Sequence, residues 1–247
     1  MTSGGMRVHK LTARSAILSA LLGAHPAEAS SAGILTLASK LGFKQSAVRV
    51  ALTRLVAAGD LERSGGMYRL SARLVDRQRR QDFALQPQES RWDGSWRLAV
   101  VTIGAEDSTD RAALRTALRA AKFGELREGV WGRPDNISSR LQADTNHRLS
   151  LFSAVPDEDS ATLASRVFAL QDWARAAERL NRQLHDSSVM VERFEVAAAI
   201  VRHILDDPLL PAEILPARWP GRDIRDSYES FRVELTALAE RILAAPR

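Results

Sequence analysis

The sequence predicts an α+β protein built from three segments. The first segment shows the spacing of amphipathic helices followed by a Gly-Gly hairpin, the second mixes short β-branched runs with helical patterns, and the third is helical. With 247 residues, 45% of them hydrophobic, the chain is long enough for two or three separate cores. We expect the segments to span residues 1–88, 89–156 and 157–247.

Three helices are expected in the first segment. Apolar spacing marks one from Thr12 onward, a second that Gly42 closes, and a third over residues 45–58. The third helix has an apolar side, formed by Val48, Leu52, Leu55 and Val56. Its other side carries Ser46, Arg49, Thr53 and Arg54. Two guanidinium groups therefore face solvent, although such a helix face is often no more than a solvated surface.

A β-hairpin follows the third helix. One strand begins at Leu61, Gly65-Gly66 permits the positive φ of a tight turn, and the return strand reaches Leu70. Three helices and a hairpin in this order form a winged helix, whose third helix fits the major groove of B-DNA. The pattern therefore predicts a DNA-binding domain.

Basic residues are concentrated in the same segment. Residues 1–85 contain 13 Lys and Arg against 5 Asp and Glu, a balance of +8, whereas residues 86–247 contain 22 against 25, a balance of −3. An arginine-rich composition would explain abundant arginine, but it would not explain this asymmetry. The first segment is thus expected to face a polyanion.

The second segment has the βαββαβ order of a ferredoxin-like domain. Strands are expected at 96–103, 123–126, 129–134 and 149–155, and helices at 111–121, begun by Asp110, and at 137–143. The polar, arginine-rich stretch 73–94 before it is typical of a linker. The third segment shows helical spacing over 163–184 and 194–205, a proline-punctuated stretch over 206–221 and a last helix.

Several kinds of site and location are excluded or disfavoured. The chain has no cysteine, which excludes disulfides and thiolate-bound metals. Nucleotide-binding glycine loops, a nucleophile elbow and zinc-protease motifs are missing from the sequence, and its five histidines lack ligand spacing. No run approaches the roughly 20 apolar residues that span a bilayer. We expect a cytoplasmic protein that is not an enzyme and uses no cofactor or metal.

Four stretches, in the right order, resemble the PaaX-like transcriptional repressors of aromatic acid catabolism. They are AVRVALTRLVAAG (47–59), WDGSWRLAVV (92–101), LRTALRAAKFGELREGVWGRP (114–134) and DPLLPAEILPARWPG (207–221). The resemblance covers nearly the whole chain. It implies an N-terminal winged helix-turn-helix, a central Cas2-like ferredoxin-type α/β domain, and a C-terminal helical domain for effector binding or dimerisation.

The resemblance places DNA contacts on the third helix. Arg49 and Arg54 match the family's signature arginines, which implies a base or phosphate contact for Arg49 and a phosphate contact for Arg54. The start of the helix departs from the family pattern, which places a serine where Lys44 or Gln45 stands. A lysine there opposes the helix dipole unless a phosphate neutralises it.

The wing, SGGM, is shorter than the family's basic loop, and any contact of the wing with DNA depends on two arginines. The expected DNA-binding residues are Lys44, Gln45, Ser46, Arg49, Thr53, Arg54, Arg63 and Arg69. One recognition helix reads only a few base pairs, whereas two helices related by a dyad reach two half-sites. We therefore expect a homodimer on palindromic, double-stranded operator DNA.

The resemblance also implies an effector-responsive repressor of a catabolic operon. In the best-known members an aryl-CoA thioester such as phenylacetyl-CoA releases the DNA. An acyl-CoA site needs cations for the phosphates and an apolar slot for the acyl group. The candidate effector-binding residues are Trp131, Arg133, Trp173, Arg202, His203 and Trp219. The alternative is that the tryptophans belong to the core.

A Cas2-like domain also raises a different class of function, a metal-dependent nucleic-acid-processing enzyme. Some Cas2-type proteins resemble nucleases with an acidic residue at the end of the first strand. Here the nearest acids, Glu106 and Asp107, lie in the loop beyond that strand. Because a two-metal site needs converging carboxylates, we take the nuclease only as the alternative.

Overall fold

The computed structural model describes residues 10–87, 90–104, 107–138, 141 and 143–244. Its helices are α1 (Ala13–Leu22), α2 (Ser31–Lys40), α3 (Gln45–Ala57), α4 (Ala72–Leu85), α5 (Ser108–Ala120), α6 (Ala143–Asn146), α7 (Ser160–Val167), α8 (Leu170–Asp186), α9 (Met190–Leu205) and α10 (Gly221–Ala244). Its strands are β1 (Glu28–Ser30), β2 (Leu61–Ser64), β3 (Met67–Leu70), β4 (Trp96–Val101), β5 (Gly124–Arg127), β6 (Val130–Pro134) and β7 (Leu149–Ala154).

The chain forms two compact units. The first unit consists of Met1–Leu85, Ala176–Leu205 and Pro220–Arg247, and the second of Gln86–Arg175 and Asp206–Trp219. The C-terminal helical segment is thus divided between the two units. The three-segment division at residues 88 and 156 stays a prediction.

The first unit contains the winged helix that the sequence predicts. The side chains of Thr12 and Ser30 cap α1 and α2 by accepting hydrogen bonds from backbone N–H groups in the first turns. The apolar faces of α1, α2 and α3 share one core with residues of β2 and β3. Val56 was predicted to pack in this core, but it is exposed, and Ala51 is buried instead. The buried stripe of α3 is thus rotated by a small part of a turn from the predicted one.

The wing is a three-stranded sheet in the order β1-β3-β2. Its hairpin turns at Gly65 and Gly66, whose φ values of 57° and 80° suit glycine. Strand β1, which has only three residues, pairs antiparallel with β3 and was not predicted. This pairing covers one edge of β3.

The predicted linker over 73–94 is wrong for most of its length, because residues 72–85 form α4. Leu74, Gln78, Gln81 and Ala84 are its buried positions, at helical spacing. The Gln78 amide donates hydrogen bonds to the carbonyls of Leu22, at 3.1 Å, and Ala24, at 2.8 Å, near the end of α1. The stretch is polar in composition, but its polar residues satisfy the free carbonyls of a neighbouring helix.

The C-terminal helices of the first unit pack on the winged helix. Helix α9 contacts α4, and α10 contacts both α9 and α2. Phe194 of α9 and Phe231 of α10 meet edge to face, with ring centroids 6.3 Å apart. Arg193 and Glu234 form an ion pair at 2.7 Å across the same two helices. Within the described residues, no helix is both long and apolar enough to cross a membrane.

The second unit confirms the ferredoxin-like prediction. Its four strands form an antiparallel sheet in the order β5-β6-β4-β7, which places the first and third strands of the unit at the centre. Helix α5 packs Leu114 and Leu118 in a core with Ala99 and Trp131 of the sheet. Trp96 belongs to a second core with residues of α7, α8 and the 206–219 stretch.

Two local predictions for this unit are wrong. Helix α5 is capped by Asp107, whose side chain accepts from the backbone N–H of Asp110 at 2.8 Å. Asp110 lies in the first turn and pairs with Arg148 at 2.8 Å. The helix predicted over 137–143 is displaced, because α6 begins only at Ala143. Residues 139, 140 and 142 of that prediction lie outside the described residues.

Gly124 in β5 offers a test of packing in the second unit. A Cβ atom at Gly124 would overlap Val167 and lie 2.8 Å from Cε1 of Phe168. We expect Gly124→Ala to lower the free energy of unfolding by about 1–2 kcal/mol through overpacking. Urea denaturation followed by tryptophan fluorescence measures this, because all five tryptophans lie in the second unit. Gly104→Ala, which meets nothing within 4 Å, is the control, and equal stability of both variants would contradict the overlap.

Candidate nucleic-acid interface

The exposed face of α3 is the candidate DNA-reading surface. Val48, Leu52 and Leu55 are buried, and this burial fixes the rotation of the helix about its axis. The polar residues predicted to contact DNA then fall on the outside; those that are exposed are Gln45, Ser46, Arg49, Thr53 and Arg54. The 13 residues of α3 present this surface over roughly 20 Å, since an α-helix rises about 1.5 Å per residue.

The acids that form ion pairs in the winged helix pair with arginines outside α3. Asp60 pairs with Arg14 and Arg73, and Asp76 pairs with Arg79. Within the described part of the chain, Arg49 has no ion-pair partner, and the same holds for Arg54 and Lys44. No acidic side chain among the described residues therefore neutralises the positive charge of α3.

The N-terminus of α3 is also free to bind an anion. Lys44 occupies the N-cap position with extended backbone, exposed and without a side-chain hydrogen bond to the helix. The first N–H groups of a helix have no partner inside it and carry a partial positive charge. A phosphate bound there would be contacted by these N–H groups and by the Lys44 ammonium.

Two of the predicted contact residues are partly engaged within the protein. The Thr53 hydroxyl donates to the Arg49 carbonyl at 3.1 Å, one turn earlier. Arg69 of β3 pairs with Glu28 of β1 at 2.5 Å. Arg63 of β2 keeps its charge exposed, with its guanidinium 5.8 Å from the ring centroid of Tyr68. On the wing, Arg63 is therefore the better placed cation for a phosphate.

Asp60 ties the end of α3 to two other helices. Its backbone N–H donates to the Leu55 carbonyl at 2.9 Å, and its own carbonyl accepts from Ser71 N at 3.0 Å. Its buried carboxylate accepts from Arg14 Nη2 of α1 at 2.6 Å and from Arg73 of α4. The orientation of α3 thus depends on a charged centre that the sequence did not reveal.

The residues predicted to bind an effector are spread over both units. Arg202 and His203 lie on α9 in the first unit. In the second unit, Trp131 is buried in the sheet core, and Trp173 is stacked on Trp219 with ring centroids 4.6 Å apart. The burial of Trp131 and Trp173 favours the alternative that these rings belong to the core.

Arg133 is a buried cation in the second unit. Its Nε donates to the Pro134 carbonyl and its Nη2 to the Ile137 carbonyl, both at 3.0 Å. Burial lowers the pKa of this guanidinium to about 10, and the nearby charge of Asp135 opposes that shift. These bonds hold the loop after β6, in which the Asn136 amide also donates to the Leu209 carbonyl at 2.9 Å.

A cavity of about 310 Å³ lies in the first unit, and sequence reasoning missed it. Arg77 and Gln81 of α4 line it together with Arg202 of α9 and Tyr228 of α10. The first two had been assigned to a linker. The helical spacing of Leu74, Gln78, Gln81 and Ala84 was the signal that could have revealed them.

The acids considered for a nuclease site do not form one in the described structure. The Asp107 carboxylate caps α5, and Glu106 lies outside the described residues. Among the residues that are described, no group of three or more His, Asp or Glu side chains is arranged to hold a metal ion.

Comparisons with known proteins agree along the whole chain. Three family models match it: PaaX-like protein over residues 12–74, PaaX protein central Cas2-like domain over 89–158, and PaaX-like protein C-terminal domain over 161–245. The chain is 25% identical over 214 residues to the transcriptional repressor PaaX of Escherichia coli K12, covering 75% of this chain and 67% of that protein. The solved structure of the uncharacterized protein Rv0674 from Mycobacterium tuberculosis is 47% identical, with a TM-score of 0.85 over 94% of this chain and 99% of that one.

Proposed function

This chain belongs to the family of PaaX-like proteins, and we propose that it is a DNA-binding transcriptional repressor that reads its operator through α3. The curated relative is a transcriptional repressor, which supports regulation of transcription rather than catalysis. The observation that carries the assignment to α3 is its exposed face, on which Arg49 and Arg54 have no acidic partner among the described residues.

Each part of α3 suits a different part of DNA. The fork of a guanidinium matches the O6 and N7 atoms of guanine, so Arg49, near the middle of the exposed face, is proposed to read a base. Arg54, one turn further on, is proposed to bind a phosphate. Lys44 and the first N–H groups of the helix form a second phosphate contact, and Gln45 and Ser46 lie beside it.

The operator is proposed to be palindromic and bound by a homodimer. A helix that exposes two arginines specifies only a few base pairs, and a second copy on a dyad doubles the site. Selection of double-stranded DNA from a random library by the purified protein tests this. We expect an inverted repeat with half-sites about one or two helical turns apart, each turn being roughly 10 base pairs. Recovery of DNA without any enriched sequence would reject the proposal.

Release from DNA is proposed to require a small acidic effector, which links the repressor to a catabolic operon. The family resemblance points to an aryl-CoA or another acyl-CoA thioester as one candidate. The test is the affinity for the selected operator in the presence of acyl-CoA esters and of the free acids. An effector should weaken operator binding at least tenfold.

Salt dependence provides a test of the phosphate contacts. Binding to the selected operator should weaken steeply between about 50 and 200 mM salt, because bound phosphates release counterions. Arg54→Ala should reduce the slope of log affinity against log salt by about one for each changed phosphate contact. Fluorescence anisotropy with labelled operator measures both slopes. A slope in Arg54→Ala equal to that of the unchanged protein would remove Arg54 from the phosphate contacts.

A further inference from the structure

The cavity in the first unit has the composition of a ligand pocket. It lies among α1, α2, α4, α9 and α10, and its volume of about 310 Å³ is near the lower end of ligand pockets, which span roughly 300–1,000 Å³. Most of its wall is apolar, and its larger apolar side chains include Ile17, Leu37, Phe194, Val201, Phe231 and Leu235. Such a wall suits an aromatic ring or a short hydrocarbon chain.

Two largely buried polar side chains line the cavity. Gln81 is 5% exposed and Tyr228 is 8% exposed, and both line the cavity. Within the described ranges, neither the Gln81 amide nor the Tyr228 hydroxyl has a hydrogen-bond partner. Among the described side chains, the fully buried polar atoms without a partner are Ser71 Oγ and Asn181 Oδ1, so the polar atoms of Gln81 and Tyr228 remain accessible from the cavity. The cavity wall thus contains two polar side chains that could bond a ligand.

Two cations, Arg77 and Arg202, also line the cavity. Neither Arg77 nor Arg202 has an acidic partner among the residues that the structure describes. Burial lowers the pKa of Arg202, and the positive charge of Arg77 lowers it further. Arg232, which also lines the cavity, is held by Glu229 through two hydrogen bonds at 2.8 and 2.6 Å. An anion beside Arg77 and Arg202 would relieve the repulsion between them.

We propose that this cavity binds a compact apolar carboxylate, with its carboxylate at Arg77 and Arg202 and its apolar part among Ile17, Phe194 and Phe231. Gln81 and Tyr228 lie in the same wall and provide a donor each for the carboxylate oxygens. The cavity volume accommodates an acid of this size, whereas the nucleotide part of a CoA thioester would have to remain outside. The two lining cations favour a free acid as the occupant, because the carbonyl of a thioester carries no charge to place beside them.

Binding in the cavity has a direct route to the DNA-reading helix. Residues Ile34, Leu37 and Ala38 of α2 line the cavity, and α2 packs against α3. A ligand that binds more tightly when α2 and α3 are displaced would favour that arrangement over the DNA-binding one. The size of the population shift is set by the ratio of its affinities for the two arrangements. This regulatory consequence rests on the proposed function, whereas ligand binding itself does not.

Calorimetry on the full chain tests the ligand class with four probes. Octanoate represents a linear acid and 4-phenylbutyrate an aromatic one. 1-Octanol has the same kind of tail without the anion, and octanoyl-CoA carries the thioester. We expect saturable binding of at least one acid, at least tenfold tighter than that of octanol and of octanoyl-CoA. Equal binding of octanol, tighter binding of octanoyl-CoA, or no saturable binding of either acid would overturn the proposal.

Substitutions in the cavity wall test where the acid binds. Arg202→Met should weaken binding of the preferred acid at least tenfold, and Arg202→Lys should restore part of it. Arg222→Met is the matched control, because this side chain is 91% exposed on α10 and does not line the cavity. Ala198→Leu, which adds methyl groups to the cavity wall, should weaken both acids without removing a charge. Equal affinity in Arg202→Met and Arg222→Met would overturn the assignment of the carboxylate.

The two proposals fail in different ways. If the acids bind as expected but the library selection recovers no operator, the repressor function is rejected and the pocket stands. If an operator is recovered and its affinity is unchanged by saturating acid, the regulatory consequence is overturned. If the preferred acid lowers operator affinity in the unchanged protein but not in Arg202→Met, the cavity is the effector site.

Discussion

Replacing Arg49 by alanine should weaken operator binding strongly while leaving the fold intact. A bidentate arginine–guanine contact contributes about 1–3 kcal/mol, which is roughly 5–150-fold in affinity for each recognition helix. In a homodimer the change occurs twice, so the loss for the whole complex is larger. The Arg49 side chain is exposed and unpaired among the described residues, so its removal costs the folded protein little.

Control variants distinguish a base contact by Arg49 from a general effect of its positive charge. Arg179→Ala removes one exposed positive charge from α8, on the same unit, and should change affinity much less. Arg49→Lys keeps the charge but loses the planar fork. This variant should retain most of its affinity for the scrambled duplex but lose much of its preference for the operator. Fluorescence anisotropy with the operator and with a scrambled duplex measures both quantities. If Arg49→Ala and Arg179→Ala have equal affinities, Arg49 does not contact DNA.

Replacing Asp60 by alanine should have the largest effect on the stability of the winged helix. The side chain of Asp60 is 5% exposed and accepts hydrogen bonds from Arg14 and Arg73, which belong to different helices. Hydrogen bonds to charged groups contribute about 1.5–3 kcal/mol each. Because both arginines are largely exposed and regain water, we expect a net loss of about 2–3 kcal/mol in the free energy of unfolding.

Urea denaturation followed by far-UV circular dichroism measures this loss, as a lower midpoint with an unchanged slope. Asp76→Ala is the matched control, because Asp76 forms an exposed pair with Arg79 and its side chain is 60% exposed. That variant should lose no more than about 0.5 kcal/mol. Asp60→Asn should fall between the two, since an amide oxygen still accepts one hydrogen bond. Equal stability of the Asp60 and Asp76 variants would show that the buried charge centre does not hold α3.

Local patterns were sufficient for most of the secondary structure. The spacing of Val48, Leu52 and Leu55 identified the buried side of α3, because a helix must bury its apolar stripe. Gly65-Gly66 identified the hairpin turn, because few other residues tolerate its positive φ. The first strand of the second unit was identified for a related reason, since a short β-branched run between Gly94 and Gly104 suits a sheet.

Predictions failed where a non-local contact outweighed local composition. Helix α4 has the composition of a linker, but Gln78 donates to the end of α1, and Gln81 lies in the cavity wall. Strand β1 has only three residues, and it is defined by its pairing with β3. Asp107 rather than Asp110 caps α5, and Asp110 in the first turn instead pairs with Arg148 from a distant part of the chain.

The amino-acid order alone therefore determined the α+β class, the winged helix and the exposed arginines of α3, since these depend on periodicity and turn chemistry within a few residues. Folding decided which charges remain unpaired and where a ligand could bind. Asp60 pairs with Arg14 and Arg73, whereas Arg77 and Arg202, which are 125 positions apart in the sequence, both line one cavity. Burial and ion pairing depend on distances in space, and no local pattern records them.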